Sequence, residues 1–260
     1  MRTKILIFTL LLAVFALPVF AQDSAPAIPI SFSGFGFEYP SYIGPNVNIS
    51  WYPGDPITEV EQKFGDGSHT QFTFYETFPV PESVWDAKAG IRLYGIDTIA
   101  QYSDLKQQVE QLKSLLSEQP DLTTFESADA DNLPFVPPAM HGQIIRARAH
   151  YVETDAFKGV SYVIATPIMD AFEPFLHDTF YYVFQGISAD GNLYVSAAFH
   201  LDTSLFPAAL PTDFDMATFQ AQMPDYLKAT IATLNAGQPE DFSPSLTDLD
   251  TLIQSFNLEA

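Results

Sequence analysis

The second half of the chain contains four consecutive segments with the residue pattern of β-strands, and this feature constrains the fold more than any other. The segments cover residues 143–152, 159–166, 178–187 and 192–201 and are rich in aromatic and β-branched residues. Residues 188–191 (SADG) are typical of the turn of a hairpin. The pattern therefore predicts a four-stranded antiparallel sheet.

The register of the last hairpin decides which side chains face the core. If Ile187 opposes Asn192, alternate residues of the two strands share a face. The predicted core face consists of Phe180, Tyr182, Phe184, Leu193, Val195, Ala197, Phe199 and Leu201. The opposite face consists of Thr179, Tyr181, Gln185, Asn192, Tyr194, Ser196 and His200. This second face mixes aromatic with hydrogen-bonding groups, so we expect it to be partly exposed to solvent.

Shorter strands are predicted in the first half of the chain. Residues 30–51 are dense in aromatic residues and are divided by glycine and proline, which fits short strands separated by turns. Two further strands are indicated at residues 70–76 and 89–96, the first after a glycine-rich turn and the second by alternation of apolar and polar residues. We therefore expect β-structure before the first long helix.

Three segments have the apolar spacing of amphipathic helices. The first covers residues 103–119 and begins with Ser103 as its N-cap. The second covers residues 215–235, where Pro224 is expected to kink or restart the helix. The third is short and covers residues 246–256. An antiparallel β-sheet, built as a meander, with amphipathic helices packed on it is an α+β fold.

The N-terminal residues 1–21 have the pattern of a secretory signal peptide. Arg2 and Lys4 precede an apolar run at residues 5–19, and cleavage is expected after Ala21. An uncleaved membrane anchor is the alternative, although the run is short for a membrane span. The sequence thus predicts a secreted, periplasmic or otherwise extracytoplasmic protein that does not span the membrane after cleavage.

The rest of the chain is divided by composition. Residues 22–29 are rich in alanine and proline and are predicted to form a flexible spacer. Residues 30–260 are predicted to form a single α+β domain. The acidic, proline-containing segment within residues 119–138 is a candidate subdomain boundary.

Composition excludes several classes of partner and site. The chain has no cysteine, which excludes disulfides and thiolate metal sites and, with export, favours a bacterial envelope location. Its formal net charge is −21, which is unfavourable for binding nucleic acid or anionic lipids. Solubility outside the cell explains this charge, and a specific cation-binding role is the alternative.

Residues 182–197 (YVFQGISADGNLYVSA) resemble a hairpin found in uncharacterised secreted or envelope-anchored bacterial proteins, a family with no known activity. The order of elements is also similar to that of the photosystem extrinsic-protein (PsbP-like) fold. The cues are residues 37–40 (FEYP), the late aromatic meander and residues 252–256 (LIQSF). This chain departs from that fold by extra segments around residues 119–140. Because members of the fold mostly bind or help to assemble other proteins, the resemblance implies a binding role, by analogy of fold alone.

The most unusual local feature is the alternating series Arg146, Arg148 and His150, which a regular strand would place on one face. Two guanidinium groups beside a histidine can bind a carboxylate, a sulfate or an acidic segment of a partner. We therefore predict a recognition surface that includes these three residues and His200. The alternative is a network of ion pairs with the acids of the chain itself.

Patterns that carry known catalytic chemistry are absent from the sequence. There is no Walker loop, HExxH motif, EF-hand loop or paired Cys/His ligand set, so no catalytic residue, metal site or cofactor is predicted. The acid pairs Asp129/Asp131 and Asp213/Asp215 can ligate calcium or simply be solvated loop residues. The tryptophans at 51 and 85 can line a pocket or fill the core.

These features predict an exported, non-enzymatic binding or assembly protein whose partner is an envelope protein or a small ligand. One alternative is a secreted hydrolase with an acid/base pair assembled from scattered Asp, Glu and His residues. The other is a structural envelope protein with no discrete site, which an extended exposed apolar patch would favour.

Overall fold

Two antiparallel sheets form the framework of the protein, which we describe from a computed structural model for residues 26–81, 89–137, 142–165 and 173–259. In chain order the strands are β1 (Ala27–Phe32), β2 (Phe35–Pro40), β3 (Asn46–Tyr52), β4 (His69–Tyr75), β5 (Ala89–Gly95), β6 (Ile145–Glu153), β7 (Phe157–Ala165), β8 (Phe180–Ser188), β9 (Leu193–Thr203), β10 (Phe242–Ser243) and β11 (Asn257–Leu258). The larger sheet has the order β3-β4-β5-β9-β8-β7-β6, with β10 paired to β9. The smaller sheet has the order β1-β2-β11.

Helices pack on these sheets, so the predicted α+β fold class is confirmed. The α-helices are α1 (Glu61–Phe64), α2 (Ile96–Ile99), α3 (Ser103–Glu118), α4 (Met216–Ala221), α5 (Met223–Ala236) and α6 (Leu246–Gln254). Short 3-10 helices cover Ser41–Ile43, Leu122–Phe125 and Pro239–Asp241. Among the described residues, none of the helices has both the length and the apolar character that a membrane span requires.

The second-half strands follow the predicted order, and their register differs by two residues. Ile187 opposes Tyr194 rather than Asn192. Because side chains alternate with a period of two, a shift of two residues leaves every side chain on its predicted face. The core face therefore contains the aromatic and aliphatic residues that the sequence indicates, such as Phe180 and Phe199, which are fully buried.

The two halves of the chain meet within the larger sheet. Strand β5, which precedes the acidic segment at residues 119–138, pairs with β9, which follows it. Described residues of that segment contribute to the protein interior, since Leu122, Leu133, Phe135 and Val136 are buried.

The N-terminal end of the described chain also differs from expectation. The predicted spacer at residues 22–29 extends into β1, because Ala27, Ile28 and Pro29 pair with β2. The predicted signal peptide lies outside the described residues.

One face of the larger sheet is covered by the smaller sheet together with α5 and α6. An aromatic cluster fills the space between these layers, and Phe256 contacts several of its rings. The ring centroid of Phe256 lies 5.3 Å from that of Phe35 and 5.9 Å from that of Phe184. Such tilted and edge-on contacts add to the hydrophobic gain of burying the rings, so the aromatic residues stabilise this interior without disulfides.

The other face is covered in part by α3 and by residues 133–136, and it is partly exposed as expected. Gln185, Tyr194 and Ser196 are buried, whereas Asn192 is exposed and Thr179, Tyr181 and His200 are half-buried. Gln185 is fully buried there, and its polar atoms are all used. Its Oε1 accepts hydrogen bonds from the Val136 amide at 2.9 Å and from the Tyr194 hydroxyl at 2.8 Å. Its Nε2 donates to the Ser196 hydroxyl at 2.9 Å. Polar residues tolerate burial on this face because their partners are also buried there.

The helix boundaries agree with the sequence patterns except at one cap. Ser103 is the first residue of α3, while Tyr102 occupies the N-cap position without a side-chain cap. Pro224 lies in the first turn of α5, so it restarts the helix after α4. Gly237 is the C-cap of α5. The end of α5 is important because it borders the region where the predicted recognition residues lie.

Candidate functional site

A β-bulge in β6 determines where the predicted recognition residues point. Ala147 pairs with Val163, but the next pair is His150 with Ser161, so two residues of β6 oppose one residue of β7. Arg148 lies in the bulge with a φ of 57°, in the left-handed region. The bulge reverses the alternation, so the expectation that Arg146, Arg148 and His150 share one face is wrong.

Arg146 points toward the face that α3 covers, and only 1% of it is exposed. Its Nε donates to the Phe125 carbonyl at 2.8 Å, and one Nη1 hydrogen bond reaches Asn132 Oδ1 at 3.1 Å. The remaining acceptors are the carbonyls of Ser127, Ala130 and Gln143. All five N–H donors of the guanidinium group are thus used inside the protein. Arg146 holds the 125–132 segment against the sheet and is not available to a ligand.

Arg148 is directed to the C-terminal end of α5. Its Nη1 donates to the carbonyls of Leu234 at 3.1 Å and Gly237 at 2.8 Å, and its backbone amide donates to Asn235 Oδ1 at 2.7 Å. The last carbonyls of a helix lack partners within the helix and carry partial negative charge, so a guanidinium group satisfies them well.

The bulge is also held from its other side by Glu126. Its Oε1 accepts a hydrogen bond from the Ala149 amide at 2.8 Å, and its Oε2 accepts one from Asn235 Nδ2 at 2.7 Å. The backbone amides that the bulge removes from the ladder are therefore paired with side chains. This pairing fixes both the bulge and the carboxylate of Glu126.

His150 lies on the opposite side of the sheet from Arg146 and faces α6. Its Nε2 is 3.4 Å from Asp250 Oδ1, and its Nδ1 is 3.1 Å from the Arg148 carbonyl oxygen. Burial lowers the pKa of His150, but hydrogen bonds to Asp250 and to the carbonyl, with the charge of Asp250, outweigh burial and raise the pKa. Asp250 also accepts a hydrogen bond at 2.6 Å from the Tyr182 hydroxyl. Since a hydroxyl group has one proton, Tyr182 has none left to donate to a ligand in the cleft.

His200 is not brought together with these residues. It pairs across the sheet with Tyr181 in β8 and contacts that ring edge-on, with centroids 5.2 Å apart. Its Nε2 is 2.6 Å from the Asp178 carbonyl oxygen. His200 therefore lies on the α3 side of the sheet, whereas His150 lies on the α6 side.

Two adjoining clefts lie beside the bulge, and together we call them the groove. The bulge cleft has a volume of about 500 Å³ and the helix cleft about 680 Å³. Both are lined by Thr123, Glu126 and Asn235, which join them. The bulge cleft is further lined by residues that include Arg148, His150, Tyr182, Leu246 and Asp250. The helix cleft is further lined by residues that include Asp129, Met223, Asp225, Leu227, Lys228 and Ile231.

A second polar cluster lies between the 54–68 loop and the larger sheet, and the sequence patterns did not indicate it. Asp66 Oδ2 is 3.4 Å from Arg92 Nη1 and 3.8 Å from His69 Nδ1. Burial raises the pKa of Asp66 and lowers the pKa of His69. Asp66 Oδ1 is buried and has no hydrogen-bond partner among the described residues. In the sequence, the separation of three residues between Asp66 and His69 is the one feature that could indicate this cluster, and such a separation also occurs by chance.

The acid pairs for which calcium binding was one alternative do not converge on a common point among the described residues. Asp129 lines the helix cleft, and Asp215 accepts a hydrogen bond from the Thr218 amide at 2.7 Å as the N-cap of α4. Within the described ranges, no three His, Cys, Asp or Glu residues are grouped so as to hold a metal ion. Trp51 is 65% exposed and does not fill the core. Trp85 and His141 lie outside the described residues.

Comparison with known proteins adds no family to this description. No protein-family model matches the chain, and a search of curated proteins finds no match. The resemblances noted in the sequence therefore stay predictions, and the groove is the observation on which a function can be argued.

Proposed function

We propose that this protein is an exported, non-enzymatic binding protein that holds its ligand in the groove. The observation that carries the proposal is the groove itself, with clefts of about 500 and 680 Å³ beside the bulge of β6. Small-molecule sites in proteins commonly have volumes of about 300–1,000 Å³ and combine apolar walls with a few placed polar groups. Each cleft has a volume in this range, and its described lining combines apolar residues with a similar number of polar and charged ones.

The walls of the groove are held in place before any ligand arrives. Glu126 is fixed by hydrogen bonds to the bulge and to α5, and Arg148 is fixed by the carbonyls at the end of α5. A site whose side chains are already ordered loses little conformational entropy on binding. This supports a binding role for the groove.

The chemistry of the lining favours binding over catalysis. A carbonyl oxygen can only accept, so the Nδ1–H of His150 donates to the backbone carbonyl oxygen of Arg148, while Nε2 faces Asp250. With both ring nitrogens directed at acceptors, His150 has no free position from which to remove a proton from a substrate. Tyr182 donates to Asp250, and burial raises its pKa well above the usual range.

The hydrolase alternative would need an acid/base pair that a substrate can reach. Asp66 and His69 have shifted pKa values, but His69 is only 2% exposed, and neither residue lines the groove. Shifted pKa values also arise in structural ion pairs. We therefore assign Asp66, His69 and Arg92 to the attachment of the 54–68 loop to the sheet.

The proposed location is extracytoplasmic, and the support for it is the leader-like pattern at residues 1–21 together with the absence of cysteine. A ligand of the groove would then come from the envelope or the surroundings of the cell. An envelope protein that inserts a segment into the groove is compatible with the same surface.

The test is a fragment screen on the mature protein, residues 22–260, observed by two-dimensional NMR. The groove is blocked by Ala232→Trp, because Ala232 is an exposed residue of α5 that lines the helix cleft. The matched control is Ala229→Trp, because Ala229 is exposed on the same helix and does not line either cleft.

We expect fragments that shift the signals of Glu126, Arg148 and Lys228 in the wild type and in Ala229→Trp, with these shifts lost in Ala232→Trp. Saturable binding that Ala232→Trp leaves unchanged would contradict the proposal. A screen in which fragments bind only at residues away from the groove would contradict it as well.

A further inference from the structure

We infer that the ligand of the groove is a small organic cation with an apolar chain, such as an alkylammonium compound. The inference rests on the proposed function and specifies its ligand class. It starts from the helix cleft, whose lining combines an apolar floor with an excess of carboxylates.

The floor of the helix cleft is the apolar side of α5. Leu227 and Ile231 are each 7% exposed, and Met223 lies one turn before Leu227 on the same side of the helix. Met223 is half-buried and the edges of Leu227 and Ile231 reach the cleft, so a hydrocarbon chain can cover the aliphatic surface that is still in contact with water.

The walls of the helix cleft carry more negative than positive groups. Glu126, Asp129 and Asp225 line it, and Lys228 is the one lysine or arginine among its described lining residues. Glu126 cannot turn away, because each of its carboxylate oxygens holds a hydrogen bond. A cation in the cleft therefore meets a fixed negative charge with two exposed carboxylates beside it.

The positive groups of the bulge cleft do not reverse this balance. Arg148 is bound to the carbonyls at the end of α5, and His150 is bound to Asp250. The sequence pattern of Arg146, Arg148 and His150 predicted an anion site, but the folded chain uses these groups internally. With a formal net charge of −21, the whole protein also attracts cations and repels anions.

The probe is hexylammonium, compared with 1-hexanol, hexanoate and methylammonium, each titrated into the mature protein and followed by NMR. The alcohol tests the chain without charge, hexanoate tests the opposite charge, and methylammonium tests the charge without a chain. We expect saturable shifts at the groove for hexylammonium, with weaker binding of the other three probes and weakening of hexylammonium binding by added salt.

The variant that tests the carboxylates is Asp129→Asn/Asp225→Asn. Its control is Glu59→Gln/Glu110→Gln, which changes the net charge equally at two exposed acids that do not line the groove. We expect the first pair to weaken hexylammonium binding about tenfold and the control pair to change it less than about twofold.

The results distinguish failure of the proposed ligand class from failure of the groove proposal. Equal binding of hexylammonium and 1-hexanol, or equal effects of the two double variants, would overturn the inference that the ligand is a cation and leave the groove proposal in place. The same holds if hexylammonium does not bind while fragments still bind in the groove. If Ala232→Trp leaves the binding of every probe and fragment unchanged, the cation and the groove proposal both fail.

Discussion

Replacing Arg146 by methionine tests the assignment of this residue to structure rather than to recognition. Methionine keeps much of the aliphatic stem but removes five hydrogen bonds from a side chain that is 1% exposed. Four of the five acceptors are backbone carbonyls, so no repacking of side chains can remove them. The substitution leaves them without their charged partner.

The magnitude follows from the balance of two effects. Hydrogen bonds to a charged group each contribute about 1.5–3 kcal/mol, but five bonds to one group are not additive. Removing the buried charge also recovers part of its desolvation cost. We expect a net loss of about 3–5 kcal/mol in the free energy of unfolding, which corresponds to a melting temperature lower by about 6–20 °C for a domain of this size.

The assay is urea unfolding of the mature protein followed by circular dichroism, with hydrogen exchange as the local measurement. Arg148→Met is the matched control, because Arg148 is only partly buried and binds the end of α5 rather than the 125–132 segment. We expect faster exchange at residues 125–132 in Arg146→Met only. A loss below about 1 kcal/mol, or unchanged exchange in that segment, would refute the assignment.

Three further predictions concern the groove and the core. The pKa of His150 is raised in the folded state, so its contribution to stability is present below the ordinary value of 6.5 and is lost as the pH rises through the folded value. The melting temperature of His150→Gln should therefore be lower than that of wild type at about pH 5.5, and the two should converge at about pH 9. Phe256→Ala should cost about 3–5 kcal/mol in chemical unfolding, because the ring is 3% exposed within the aromatic cluster. Gly159→Ala should cost about 3 kcal/mol in the same assay, because a Cβ would overlap the Gln185 carbonyl of the neighbouring strand.

The strands and helices could be predicted because their residue patterns are local. The alternation in β8 and β9 indicates the correct faces even with the register displaced by two residues, since only an odd shift exchanges the faces. The covering of the second face by α3 was not predictable in this way. A buried polar residue such as Gln185 has the sequence appearance of an exposed one, and only tertiary contacts supply its partners.

The candidate site was harder to predict because one inserted residue changes the direction of every side chain after it. Arg146 and His150 would share a face in a regular strand, but the bulge at Arg148 places them on opposite sides. The bulge is stabilised by Glu126 and Asn235, which lie 23 and 87 residues from the backbone amides that they bind. A pattern read along one strand contains no information about such distant partners.

The same bulge brings Arg148 and the backbone amides beside it to partners within the fold. An unpaired backbone amide in the interior needs an acceptor, and a helix that ends against the sheet needs donors for its last carbonyls. The bulge amides are paired with Glu126 and Asn235, and the carbonyls at the end of α5 are paired with Arg148. With these guanidinium groups bound within the fold, Asp129 and Asp225 face the one lysine, Lys228, among the described residues of the helix cleft, and Glu126 adds a fixed negative charge. The positive charge that we propose for the ligand therefore follows from how the strand, the loop and the helix are joined, and the comparison of hexylammonium with hexanoate tests it directly.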